Sequence, residues 1–309
     1  MHHMNTTTDQ VLTRAELTPL QARSDWRGAA RLTVHVALLA GTGWLVAIAS
    51  GWSVWPAMFA LGLVQAALFA PAHETMHQTA FASRRANAIV QWLTSCPSLL
   101  NAQFYTAFHL AHHRHTQIPG LDPELANTEP TTLPAYIRRV LGIPFWRLRF
   151  QVIADCWRGD LGAYPFIPPQ AVRRIVLSVR AMSVVMFGGA FASALVFGWT
   201  APFVYWIIPQ LIGQPPLRAY LLAEHTGCTL DRNGLTNTRT TLTNAVVRFL
   251  MWNMPYHAEH HLYPSIPFHR LPAAHKAIGT RLGFVQRGYL RWNFNLVRRL
   301  AAPRHGTMT

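Results

Sequence analysis

Four stretches of the chain are apolar on every side rather than along one face. They run from about Leu32 to Ala49, Val54 to Ala72, Ile175 to Phe197 and Pro202 to Leu222. About 20 such residues in a helix cross the hydrocarbon core of a bilayer, so the pattern predicts four membrane-spanning helices. Ser50-Gly51-Trp52-Ser53 joins the first pair and Gly198-Trp199-Thr200-Ala201 the second. Both connections are uncharged and short enough to make each pair a hairpin. Arg180 stands near the start of the third stretch. The fourth is the least regular, because Pro215-Pro216 interrupt it and Arg218 lies near its end. The segment Ile89 to Leu100 is apolar but short and broken by Pro97, so it is expected to lie at the interface or re-enter.

Residues from His73 to about Arg174, and from Ala223 onward, mix polar and apolar positions in several helical stretches. The predicted fold class is an all-α integral membrane protein: four transmembrane helices in two hairpins, with a cytoplasmic helical cap. The expected divisions are a polar segment over 1–28, a membrane domain over 29–290 and a tail over 291–309. No linker or low-complexity region marks a second fused domain.

Composition agrees with this pattern. Half of the residues are hydrophobic and 13% are charged, against about 25% charged in soluble proteins. The net charge of +15 admits nucleic acid or a membrane surface as partner. No basic arm or nucleic-acid motif is present, which argues against the former. Of the 27 basic residues, four precede the first stretch, eleven lie from Arg84 to Arg180, one is Arg218 and eleven follow it. The positive-inside rule then puts both termini and the middle segment in the cytoplasm, with Trp52, Trp55 and Trp199 in an outer aromatic belt. Usage rich in alanine and arginine, with Lys276 the one lysine, points to a high-GC bacterium and so to its inner membrane. Residues 1–28 contain Asp9, Glu16 and Asp25 and lack a secretory signal pattern. Cys96, Cys156 and Cys228 imply no disulfide framework. Cys228 lies three residues after His225, but without a second nearby cysteine it reads as a buried thiol.

Nine of the sixteen histidines carry the candidate chemistry. His73-Glu74-Thr75-Met76-His77 sets two imidazoles at i and i+4, on one helix face just beyond the second span. His109-Leu110-Ala111-His112-His113 and His257-Ala258-Glu259-His260-His261 repeat a His-x-x-His-His spacing. The first of these lies in an Asn101–Gln117 stretch that reads as helix, ended by Pro119-Gly120. The second follows Pro255, which suits a helix start. His225 stands alone after the fourth stretch. Each hairpin thus exits into a histidine, followed about thirty residues later by His-x-x-His-His, a repeat of layout only. Neutral imidazole suits Zn, Cu, Fe and Ni. A single zinc uses at most four ligands, so nine histidines favour two metals. Glu74, Glu224 and Glu259 adjoin these histidines and are candidates to receive the second ring N–H of a metal-bound imidazole. His35 lies inside the first span and is expected to bond a neighbouring helix. His2 and His3 are too few for a metal tract, and His115, His269, His275 and His305 lack matching partners.

These histidine groups, with the paired hairpins, resemble the membrane fatty acid desaturase and hydroxylase superfamily. The resemblance covers about residues 30–275 and is closest at 73–81 (His-Glu-Thr-Met-His-Gln-Thr-Ala-Phe), at 112–117 with Asp122-Pro123-Glu124, and at 255–264 (Pro-Tyr-His-Ala-Glu-His-His-Leu-Tyr-Pro). It implies a non-haem di-iron enzyme that uses O2 on a C–H bond of a fatty acyl or lipid-like chain, most simply as a desaturase. Its implied ligands are His73, His77, His109, His112, His113, His225, His257, His260 and His261. Its implied partners are the bilayer, an apolar tunnel's acyl substrate (free or on CoA, acyl carrier protein or lipid), and ferredoxin, rubredoxin or cytochrome b5 with a reductase. In some desaturases an asparagine precedes the lone histidine by four residues; Leu221 holds that position here. The same scaffold supports hydroxylation, epoxidation, carotenoid oxygenation, oxidative decarboxylation to 1-alkenes and desaturation of small amino-acid-derived products.

Two readings of other classes compete. His73-Glu74-x-x-His77 also satisfies the zinc-metalloprotease pattern, with Glu74 as general base, but this leaves six histidines unused. A metal transporter would place ionisable groups inside the spans, whereas the clusters lie outside them. Arginines of the cap, such as Arg84, Arg85, Arg114 and Arg239, are candidates to hold a carboxylate, phosphate or carrier protein, against a plain role in topology and at lipid headgroups.

Overall fold

A computed structural model describes residues 11–126 and 129–302. His2, His3, Asp9 and His305 lie outside the described residues. A short helix, α1 (Arg14–Leu20), opens with Thr13 and Glu16 capping each other's backbone amides. Then α2 (Asp25–Ile48) begins at Ser24, whose hydroxyl accepts the Arg27 amide, and runs about 36 Å at 1.5 Å per residue. Only Gly28, His35 and Val46 of α2 are buried. Val34, Val36, Trp44 and Ile48 project outward, as an all-round apolar helix does in lipid. His35 meets the expectation for it: its Nε2 lies 3.0 Å from the Val64 carbonyl of the next helix.

That next helix is α3 (Val54–Ala67), continued by α4 (Phe69–Met76) after a break at Leu68. Pro71 explains the break, because its ring opposes the carbonyl four residues earlier and it has no amide to donate. The new segment carries His73 and Glu74, with His77 as its last cap. Next come α5 (Arg84–Ser95), α6 (Ala102–His115), α7 (Leu133–Val140), α8 (Ile143–Arg158) and α9 (Val172–Phe197). Asn101 starts α6 by accepting the Gln103 and Phe104 amides at 3.0 Å each, which is strong N-capping.

Among the described residues, three stretches are long and apolar enough to cross a membrane: Asp25–Ile48, Gly51–Met76 and Pro169–Phe197. The expected fourth is a π-turn over Phe203–Ile207 leading into α10 (Ile208–His225). It is helical across its length, but Gln210, Gln214 and Arg218 keep it from matching the other three in apolarity. Its packing partner is α3, through Gly62 and Gly213. A methyl group on Gly213 would come 2.1 Å from the Gly62 carbonyl oxygen, so the two backbones touch. Small residues permit this close approach of two helices.

The remaining helices gather about the ends of α4 and α10: α11 (Ala245–Leu250), α12 (His257–Leu262), α13 (Leu271–Ile278) and α14 (Tyr289–Ala301). Trp292 and Leu296 of α14 pack on Leu222 and Ala223 of α10. Helices α2 and α14 run across the positions 28 and 290 at which the sequence suggested divisions. The architecture is mostly helical rather than strictly all-α. Two three-residue strands, β1 (Thr240–Leu242) and β2 (Val285–Arg287), pair in parallel with Thr240 opposite Val285. No alternation of polar and apolar residues there is long enough to reveal them.

Candidate metal centre

All nine histidines converge. His73 and His77 come from the end of the α3–α4 stretch, His109, His112 and His113 from α6, His225 from the end of α10, and His257, His260 and His261 from α12. Their ring nitrogens form two groups. His73, His77, His109, His113 and His260 make one, and His112, His225 and His261 the other, with every chosen nitrogen in a group within 4.8 Å of the rest. His257 borders the second group, its Nε2 3.2 Å from that of His225. The groups touch where His113 and His261 stack, ring centroids 4.1 Å apart.

The donor set fits metal ions better than hydrogen bonding. His109 and His113 face each other Nε2 to Nε2 at 3.0 Å, and His77 and His260 at 3.2 Å. Two imidazoles bound side by side to one ion, each at about 2.1 Å, hold their nitrogens about 3 Å apart. His73 Nε2 and His261 Nε2 are buried without a hydrogen-bond partner among the described residues, an arrangement that costs free energy unless something else occupies the lone pair. Burial, reinforced by neighbouring imidazoles, holds His77, His109, His113, His257 and His261 well below the usual histidine range, and burial holds His260 at about 3. These rings are therefore neutral at pH 7, the form that binds metal.

Neighbouring groups orient the second set. His112 Nδ1 lies 2.9 and 3.1 Å from the two Asp122 oxygens. His225 Nδ1 lies 3.2 Å from the Asn237 carbonyl, and His261 Nδ1 3.2 Å from the Thr116 hydroxyl. An Nδ1–H donated outward leaves Nε2 as the inward lone pair. Asp122 also accepts the Gln117 and Glu124 amides. Burial opposes its charge, but these bonds and His112 prevail and lower its pKa. Burial likewise opposes charge on His112, yet Glu124 and Asp122 outweigh it and raise that pKa. Residues after two of the boxes are left-handed, Gln78 at φ +61° and Gln117 at φ +62°. The Gln117 side chain then donates to the His225 carbonyl at 2.9 Å, tying two boxes together.

The three glutamates expected beside the imidazoles divide. Glu224 Oε2 lies 3.5 Å from His257 Nε2, the nitrogen that also faces His225, and so does not receive the ring's second N–H. Glu74 instead accepts the Phe268 amide at 2.8 Å, and Glu259 is engaged by the Thr240 hydroxyl and His275. In both cases α4 or α12 turns its histidines inward and the adjacent carboxylate toward the supporting chain. Glu74 so held is poorly placed as a protease base, and its histidines join a group of five rather than a three-ligand zinc site. Asp122 and Glu124, 3.3 Å from His112 Nε2, were visible only as part of a matched motif. Cys228 is a buried free thiol outside both groups.

A cavity of about 140 Å³ opens beside the histidines. His73, His109, His112 and His257 form one part of its wall, and Phe69, Phe108, Phe145 and Leu148 give it an apolar lining. Leu221 lines it too. None of the four arginines suggested by sequence does: Arg84, Arg85 and Arg114 are exposed, and Arg239 is buried, donating to the Ala223 and Thr226 carbonyls. Arg139, Arg149 and Arg218 line it instead.

Comparison with known proteins agrees with the geometry. A family model described as fatty acid desaturase matches residues 49–292. The chain is 26% identical over 241 residues to a sphingolipid delta(4)-desaturase-like protein of Arabidopsis thaliana, covering 76% of this chain and 64% of that protein. It is 27% identical over 246 residues to a sphingolipid delta(4)-desaturase/C4-monooxygenase of Homo sapiens, covering 75% and 68%. It is 24% identical over 285 residues to an sn-1 oleoyl-lipid 12-desaturase of Picosynechococcus, covering 87% and 79%. The chain thus spans about two thirds of the length of the first two relatives.

Proposed function

Because this chain belongs to the fatty acid desaturase family, we propose that it is an O2-dependent membrane oxidoreductase that introduces a double bond into a fatty acyl or other lipid-like chain. Two non-haem irons are its cofactors. His73, His77, His109, His113 and His260 would hold one, and His112, His225, His257 and His261 the other. The observation that carries this reading is the convergence of nine imidazoles into two adjacent groups. Bound there, the irons supply what no side chain has, the activation of O2 toward an unactivated C–H bond.

The chain's own residues do the rest. Burial keeps the imidazoles of the five-histidine group neutral. Asp122, Asn237 and Thr116 fix ring orientation through Nδ1. Phe69, Phe108 and Leu148 exclude water and hold an apolar chain beside the histidines. The π-turn and α10 form the fourth crossing, which completes two hairpins with both termini and the metal centre on the cytoplasmic face of a bacterial inner membrane. The distribution of basic residues supports that orientation. Residues 29–290 make up the membrane domain. Electrons come from an external donor such as ferredoxin, rubredoxin or cytochrome b5 with its reductase. Hydroxylation is a second reading, favoured by the human relative's name, which pairs desaturase with monooxygenase.

The test is expression with iron and a reductase system, followed by mass spectrometry of lipids and small metabolites. An O2-dependent product two hydrogens lighter supports desaturation, and one oxygen heavier the second reading. No O2-dependent product from any acyl substrate would refute both.

A further inference from the structure

Two half-buried arginines in the cavity wall lack the partners that cations shielded from water ordinarily have. Arg149 comes from α8 and Arg218 from α10, and both guanidiniums lie against the Phe145 ring, their Cζ atoms 4.7 and 4.1 Å from its centroid. Each has a buried Nε without a hydrogen-bond partner, and neither forms an ion pair among the described residues. Loss of water lowers the Arg149 pKa to about 10, so it stays charged at neutral pH. The cavity's two carboxylates, Glu124 and Glu224, form no ion pair with either guanidinium among the described residues and lie instead 3.3 and 3.5 Å from the Nε2 atoms of His112 and His257. Arg139 adds a third positive charge to the wall. Buried charges are costly unless paired, and guanidiniums pair best with planar or tetrahedral oxyanions.

We propose that Arg149 and Arg218 bind the oxyanion head of the substrate, a carboxylate or phosphate, inside the cavity that reaches the histidines. A cavity of about this volume takes a group the size of benzene, so head and histidines are only a few carbons apart. This sets the reacting C–H bonds near the acidic end of the molecule, far from where a long neutral lipid would present its chain. The inference rests on the proposed function for what happens to the substrate, but not for the binding itself.

The test is therefore a binding measurement without turnover. Iron-loaded, full-length protein in nanodiscs is titrated under anaerobic conditions with decanoate, decyl phosphate, 1-decanol and methyl decanoate. At least one anion should bind tenfold or more tightly than the neutral pair, and which one does so identifies the head as carboxylate or phosphate. Arg149→Met and Arg218→Met should each weaken that anion about ten- to a hundredfold and leave methyl decanoate unchanged. The ligand-free variants should melt no lower than the parent, because an unpaired, partly desolvated charge has been removed. Arg218→Lys, which keeps the charge, should retain part of the preference. Equal affinity for acid and ester would overturn the proposal. So would an anion preference that survives in the double Met variant, because the metals would then be its source. Lower melting with an unchanged anion preference would assign the arginines a packing role and overturn it too. Failure of any of these leaves the oxidase reading standing, and absence of any oxidised product leaves the binding result standing.

Discussion

Replacing Asp122 by asparagine should loosen one metal and spare the other. Three donors share the two carboxylate oxygens: His112 Nδ1–H, the Gln117 amide at 2.8 Å and the Glu124 amide at 2.9 Å. An asparagine offers one acceptor oxygen and turns an NH2 group toward the remaining donors. His112 would then lose either its orientation or the carboxylate that strengthens its Nε2 lone pair. Changes of this kind cost about ten- to a hundredfold in metal affinity, or about 1.4–2.8 kcal/mol. Because His112 belongs to the group with His225 and His261, the loss should fall on that ion alone. Chelator titration with iron counted per chain measures this directly. The parent should release its irons together or nearly so, whereas Asp122→Asn should show a plateau at one iron after losing the other at a ten- to hundredfold lower chelator concentration. Helix content by circular dichroism guards against simple unfolding. If both irons leave the variant at the parent's chelator concentration, Asp122 does not position His112 and the division of the ligands is wrong.

Other outcomes follow from the same geometry. Gly213→Val should destabilise the protein by about 1–3 kcal/mol or more, read as a lower melting temperature in detergent, because the added carbons meet the Gly62 backbone. Glu74→Gln should keep iron content and activity near the parent's, since an amide oxygen still accepts the Phe268 amide; loss of all activity would revive a general-base role. Metal-free protein should lose stability as pH falls below about 6.5. Unfolding frees His77, His109, His113 and their neighbours to take up protons that the folded cage refuses, so the unfolded state binds more protons and stability rises with pH there. A flat profile between pH 7 and 5 would mean these rings are not held neutral.

The gathering of nine histidines was legible because each pair or triple sits at helical spacing, where one face collects it. The three most apolar helices were legible for a similar reason. The division into groups of five and three, with His257 beside the second, was not. It depends on how Pro71 redirects α4 and on the left-handed turns at Gln78 and Gln117, and periodicity carries no signal for either. Asp122 lies ten residues from His112 across such a turn, and nothing in its local sequence assigns it that partner. Glu74 and Glu259 show the opposite failure. Adjacency on a helix suggested contact with histidines, but neighbours one position apart point in different directions. Arg149 and Arg218 come from separate helices that meet only in three dimensions, so clusters in sequence drew attention to Arg84 and Arg85 instead.

The most direct measurement is the metal content of full-length protein purified from iron-supplied cells. Two irons per chain, without stoichiometric zinc, and loss of activity together with the iron of the five-histidine group in His113→Ala is the result expected here. One zinc per chain, no iron, and activity indifferent to O2 would contradict the central claim.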